Sequence, residues 1–233
     1  METQRDLIGM ILAGRYRITG RSGHAIGATN DPRGMFDALD IRSNVAVRVR
    51  LTPLADLVDP RSPQRRNTSD ARRAIQHHLQ LVLSTRHATL APISDWGDTD
   101  LSGVRCIYTV LGQMPGGSLR EMLDRGRRLT PSQALVVGLD VCRALHSIHS
   151  AGWVHGDVRP ANVVFDATRR ARLGGLDVLT LESIGEADIE RARYAAPEVG
   201  QGTAPSAASD VYSLALTLVE AVTGEVPFNA DSV

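Results

Sequence analysis

The stretch His155-Gly156-Asp157-Val158-Arg159-Pro160-Ala161-Asn162 decides how this chain folds, and the segments around it supply the frame. Before it, Pro131 stands near the first turn of a helical pattern that runs to about Ser150 and stops at Gly152. Leu135, Leu139, Cys142, Leu145 and Ile148 recur there at helical spacing, which predicts that they form the buried stripe. After it come two short strand patterns, Val163–Phe165 and Ala171–Leu173. Farther on lie Ala196-Pro197-Glu198 and a last helix over about residues 208–223, apolar along Val211, Leu214, Leu216, Leu218 and Val219.

Upstream the texture changes. Residues 1–10 read as a lead-in, and from Tyr16 to about Leu51 the pattern is strand-like, broken by Gly20, Gly23, Gly27 and Gly34. Asn44 to Leu51 alternates in part between apolar and polar residues, a period-two signal. Residues 52–70, rich in Pro, Asp and Ser, read as a loop. A helix is predicted over residues 71–84, with strands at about 90–96 and 104–111. Gly112 to Gly117 breaks the pattern, and Ser118 followed by Glu121 gives a capping-box signal for the next helix. A β-rich first third and a helical remainder predict an α+β protein.

Composition narrows the chemistry. The 233 residues carry 26 basic and 26 acidic side chains, and every basic one is Arg. Ordinary usage would supply roughly a dozen Lys. Their absence excludes Schiff-base chemistry and a P-loop lysine. The balanced charge argues against nucleic-acid binding, and the pairs Arg65-Arg66 and Arg72-Arg73 and the run Arg125–Arg128 read as solvated surface. Cys106 and Cys142, without CxxC spacing, read as reduced, buried thiols of a cytosolic protein. No signal-peptide layout and no apolar run of membrane-spanning length is present in the sequence.

Three segments in register carry a family resemblance. His155 to Asn162 resembles the catalytic loop H-R-D-x-K-P-x-N of protein kinases, and Ala196-Pro197-Glu198 resembles the A-P-E that closes their activation segment. Ser209 to Leu214, with Thr223 to Phe228, is similar to the helix that follows in bacterial Hanks-type Ser/Thr kinases. The resemblance implies a two-lobed kinase-like fold: lead-in 1–13, N-lobe 14–111 with five strands and one helix, hinge 112–117, and helical C-lobe 118–233. Family members continue with further C-lobe helices, so the resemblance implies a truncated C-lobe, belonging either to a cytosolic protein or to the cytosolic part of a longer, membrane-anchored one. The arginine partner of Glu198 would lie in the missing part.

Residue by residue, the resemblance assigns Asp157 as catalytic base, Asn162 as a metal ligand, and Ala46, Arg48, Leu111, Met114 and Val164 to an ATP site. His155, Glu198 and Asp210 take structural roles, with Asp210 holding the backbone near His155 and Gly156. Several groups depart from the family pattern. Arg48 replaces the strand lysine, and its planar fork is not a point-charge ammonium. No Glu lies between Glu2 and Glu121, so the helix glutamate expected near Gln76, His77 or His78 is missing. Gly175 replaces the magnesium-binding Asp, with Asp177 the substitute only if the backbone is displaced; a hard cation needs oxygen donors. The spacing Gly20-x-x-Gly23-x-x-x-Gly27 is not that of a phosphate-covering loop, and Gly156 replaces the H-R-D arginine. His146 and His149 have possible ligand spacing but no acid on the same face, so they are not read as a metal site.

The reading is a pseudokinase that acts as a regulatory scaffold, with weak ATP binding and no dependence on magnesium. The alternative is a divergent active Ser/Thr kinase with Asp157 as base. The expected partner is a protein, either an active Ser/Thr kinase or a phosphopeptide-binding domain. Phosphate acceptors are expected at Thr180 and Ser183 in an acidic segment, or at Thr68 and Ser69 beside Arg65, Arg66, Arg72 and Arg73. Asp157 is expected in an open cleft, where its loss costs little.

Overall fold

A computed structural model describes residues 7–22, 31–58, 64–177 and 189–228. The chain divides into two compact units, residues 1–84 with 92–113 and residues 85–91 with 114–233. The division falls between Gln113 and Met114. Residues 85–91 belong to the second unit because Leu173 N donates to Thr89 O and Ala91 N donates to Leu173 O.

The first unit is an antiparallel sheet with one long helix. Its strands are β1 (Ile11–Leu12), β2 (Tyr16–Arg21), β3 (Gly34–Asp40) and β4 (Val45–Pro53), then helix α1 (Thr68–Ser84), then β5 (Ile93–Leu101) and β6 (Val104–Leu111). The sheet order is β1-β2-β3-β4-β6-β5. Among the described residues this gives six strands where the resemblance implies five, since part of the supposed lead-in pairs with β2. Along β4 the alternation works as read: Val47, Val49 and Leu51 point into a core with Phe36, Tyr16, Ile18 and Val110, while Arg48 and Arg50 take the other face. Gly20 lies in β2, whereas Gly23 and Gly27 lie outside the described residues.

Two boundaries differ from the sequence reading. Helix α1 starts at Thr68, not Ala71, because the Asn67 side chain accepts from Ser69 N and Asp70 N and caps it. Strand β5 runs on to Leu101 through Asp95, Asp98 and Asp100. A polar strand at the sheet edge lacks the apolar alternation that reveals a strand, and its charges disfavour pairing with another chain.

The second unit is mainly helical. It contains β7 (Gly117–Ser118), α2 (Leu119–Asp124), α3 (Pro131–Ser150), β8 (Val163–Phe165), β9 (Ala171–Leu173), α4 (Ile189–Ala192), α5 (Pro197–Gly200) and α6 (Ala207–Thr223), with β7-β8-β9 as a small sheet. Ser118 caps α2 by accepting from Glu121 N, and Thr130 with Gln133 forms a full capping box on α3. Ser206 and Ser209 do the same for α6.

The buried face of α3 coincides with the predicted one only at its C-terminal end. Leu135 is 76% exposed, and Leu139 and Cys142 also face solvent. Leu145 and Ile148 are buried as expected, and Ala134, Val137, Gly138, Val141 and Ala144 complete the face in place of the other three. Close packing against α6 selects the small residues: a Cβ on Gly138 would stand 2.9 Å from Leu218 Cδ1. On α6, Val211 and Val219 are exposed while Leu214 and Leu216 lie inside. Of the two thiols only Cys106 is buried, and burial pushes its pKa up to about 11. Among the described residues no helix is long and apolar enough to cross a membrane.

Candidate functional site

Asp210 organises the loop that carries Asp157. It lies in the first turn of α6, is 1% exposed, and its carboxylate accepts from His155 N at 2.9 Å and Gly156 N at 2.7 Å. His149 Nε2 is 2.7 Å from the same carboxylate. Two features make a buried charge tolerable there: these hydrogen-bonding partners and the positive end of a helix. His149 is thus committed to Asp210, and among the described residues no three His, Cys, Asp or Glu side chains gather for a metal.

His155 passes the order onward. Its Nδ1 accepts from Asp157 N at 3.1 Å, so Nε2 carries the proton and donates to Gly174 O at 2.8 Å. The ring therefore ties the Asp157 turn to the end of β9. Gly174 N donates to Asn162 O at 2.7 Å, which closes the circuit.

Asp157 itself is enclosed. Its side chain is 19% exposed, and Arg159 Nε lies 3.0 Å from Oδ1 and 3.2 Å from Oδ2. Asn162 Nδ2 donates to Oδ2 and to the Asp157 carbonyl, both at 2.8 Å. A second guanidinium, Arg191, comes within 3.8 Å of Oδ1 and donates to Gly156 O at 3.1 Å. Arg159 Nη1 also meets Glu190 at 2.8 Å. Burial opposes the charge on Arg159, yet Asp157 and Glu190 outweigh it and raise the guanidinium pKa. The open cleft expected around Asp157 is replaced by an ion-paired pocket floor.

Gly175 adopts φ +78°, and a Cβ built there would stand 2.6 Å from Asn162 Cγ. Asn162 is a short side chain held by two hydrogen bonds, so it cannot swing away without breaking them. The residues present do not fit a magnesium ion in the family manner: Gly175 offers no donor and Asp157 is shared by arginines. Asp177, the candidate substitute, is buried.

The other predicted positions divide between the units. In the first, Ala46 is exposed and Arg48 is half-buried on β4, with Leu111 its cross-strand partner on β6. Arg48 Nε is buried without a hydrogen bond among the described residues. The single acid on α1, Asp70, pairs with Arg73 instead. Gln76, near the expected glutamate position, reaches Asp98 of β5 at 3.5 Å. In the second unit Met114 is buried and Val164 half-buried, and Glu198 is exposed. Thr68 and Ser69 are exposed at the start of α1, while Thr180 and Ser183 lie outside the described residues.

A second buried cluster went unread in the sequence. Glu220 of α6, 2% exposed, accepts from Tyr194 Oη at 2.5 Å and from Arg120 Nη1 at 2.9 Å. Burial, and then this hydrogen bond, hold the Tyr194 phenol well above its ordinary pKa. The available signal was the one acid, Glu220, in the apolar second half of the helix beside Leu216, Thr217 and Ala221. Arg191, 7% exposed, was also missed; nothing in its neighbourhood of sequence marks it as buried.

Comparison with known proteins agrees with this geometry. A family model described as the protein kinase domain matches residues 61–233. The chain is 30% identical to a "probable serine/threonine-protein kinase" of Corynebacterium efficiens over 95% of its own length and 33% of that protein. It is 32% identical to one of Streptomyces coelicolor, covering 95% of this chain and 32% of that protein. Against the serine/threonine-protein kinase PknB of Mycobacterium leprae it is 32% identical over 67% of this chain and 26% of that protein. The chain spans about a third of the length of the curated relatives it matches. With a β-sheet unit, a helical unit, an Asp210-anchored loop and a family match over most of its length, the chain belongs to the bacterial protein kinase domain family.

Proposed function

We propose that this domain is a pseudokinase, a catalytically silent member that acts by binding a protein partner in the cytosol. The observation that carries the reading is the closure of Asn162 over Gly175 and onto Asp157. Phosphoryl transfer depends on charged groups that position and neutralise the phosphates. Here the base carboxylate is shared with Arg159 and Arg191, the metal-binding side chain is absent, and α1 offers no glutamate to Arg48. ATP, the family's phosphate donor, binds weakly if at all in this reading, and magnesium does not strengthen it.

Radiolabelled ATP tests this directly. Label incorporation stays at the level of the Asp157→Asn variant, and calorimetry gives the same ATP affinity with and without magnesium. Incorporation that disappears in Asp157→Asn favours the active-kinase alternative. So does an affinity gain of about tenfold with magnesium, worth roughly 1.4 kcal/mol.

The partner in this proposal is an active Ser/Thr kinase or a phosphopeptide-binding domain. Of the two candidate acceptor regions, the structure describes the one around Thr68 and Ser69. Arg72 is paired bidentately with Asp98 at 2.5 and 2.7 Å, and Arg73 is paired with Asp70, so neither is waiting for a phosphate on Thr68 or Ser69. Both acceptors also lie within the hydrogen-bonded first turn of α1. Incubation with an active Ser/Thr kinase, followed by mass spectrometry, is expected in this proposal to place phosphate on Thr180 or Ser183, in the acidic segment outside the described residues. Phosphate found on Thr68 or Ser69 alone, or on none of the four, removes this part of the proposal.

A further inference from the structure

The arginine run that reads as solvated surface in the sequence flanks a cleft of about 430 Å³ lying wholly within the second unit. Its walls are α2, the first turns of α3 and the turn joining β8 to β9. The floor is apolar: Leu129, Val137 and Phe165 are buried there, and Met122 is half-buried. Val136, 54% exposed, opens onto the same space. Around it stand Arg125, Arg127 and Arg169, against Glu121 as the one lining acid, a surplus of two positive charges.

These arginines are unequal. Arg125 is 3.7 Å from Glu121 across one helical turn. Arg127 and Arg169 form no ion pair with any described residue, although the chain has as many acids as bases. The second unit does pair arginines elsewhere: Arg170, next to Arg169, is bound bidentately to buried Asp140 at 2.5 and 2.9 Å. The N-terminal turn of α3, which supplies Ser132 to the lining, adds its own positive end.

We propose that this cleft is a docking site for an acidic peptide segment carrying a large apolar side chain. The volume lies within the range of ligand pockets, and an apolar floor with few polar groups at its edge is their usual composition. A bare anion would leave Phe165, Val136 and Met122 uncovered. Arg127 and Arg169 come from different walls, so the carboxylates that meet them are carried at separate points on one scaffold. An extended peptide with an apolar residue between acids supplies that spacing, and guanidinium forks suit carboxylates bidentately. The inference stands whether or not phosphotransfer survives, since none of these residues belongs to the Asp157 pocket.

The test is fluorescence anisotropy of the 233-residue chain with a panel of labelled ten-residue peptides. Each carries four Asp or Glu residues and one Phe, Leu or Met at a varied position. The expected result is micromolar binding by part of the panel, weakened by at least about tenfold in Arg127→Glu/Arg169→Glu. Val136→Glu, on an exposed position, weakens it too, while the melting temperatures of both variants stay near the parent value. Raising salt from about 50 to about 300 mM lowers affinity, because the rim charges are exposed. Three results overturn the proposal: no peptide binds below millimolar concentration, binding survives the double variant, or peptides with Ala in place of the apolar residue bind as well.

Discussion

Asp210→Ala lowers the unfolding free energy by about 3 kcal/mol, the cost of leaving buried donors without their acceptor. Two backbone N–H groups, of His155 and Gly156, and the His149 ring lose their partner together. Water cannot replace the carboxylate easily at a residue 1% exposed. Asp210→Asn keeps one acceptor oxygen and should fall between Asp210→Ala and the parent protein. Urea unfolding measures both, and a loss under about 1 kcal/mol for Asp210→Ala would show that the loop holds itself without the anchor. Asp157→Ala, whose side chain is partly exposed, costs about 1–2 kcal/mol through the freed Arg159 and Asn162.

Glu220→Ala is expected to cost about 3 kcal/mol, because it leaves the buried Tyr194 hydroxyl without its acceptor and Arg120 with only the exposed Asp124 as partner. Glu220→Gln keeps the Tyr194 contact and loses less. The phenol adds a pH signature. Its folded pKa lies above the unfolded value, so its contribution is complete below about pH 10 and is lost as pH rises past that point. Tyr194→Phe therefore reduces the alkaline fall in stability without abolishing it, since Tyr16, Tyr108 and Cys106 are raised by burial as well. Unfolding curves between neutral and alkaline pH check this, and an unchanged slope in Tyr194→Phe would assign the effect elsewhere.

Much of the architecture was legible because local chemistry and tertiary packing agree. The extent of helix α3 was legible from Pro131 near its start and Gly152 after its end, and β8 and β9 followed from short apolar runs. The misreadings share a cause. Leu135 and Leu139 satisfy helical periodicity as well as Val137 and Val141 do, and only the approach of α6 at Gly138 decides which face turns inward. Strand β5 and the start of α1 were hidden by polar residues whose roles, edge strand and cap, are set by neighbours. At the site, motif spacing located Asp157, Asn162 and Asp210. It could not show that Arg159 and Arg191, the latter 34 positions away, converge on the Asp157 carboxylate.

The bidentate pair between Arg170 and Asp140 has a kinetic corollary. It fastens the turn after β8 to the middle of α3, where Asp140 is buried, and Asp166 braces the same turn through Thr168 and Arg170 backbone N–H groups. A connecting turn of this kind ordinarily frays on its own, and its amides exchange with solvent long before those of a core helix. Here the turn cannot open without also releasing a buried carboxylate on α3. Its protected amides should accordingly exchange in step with those around Asp140, as one cooperative opening unit, and Asp140→Asn should uncouple them.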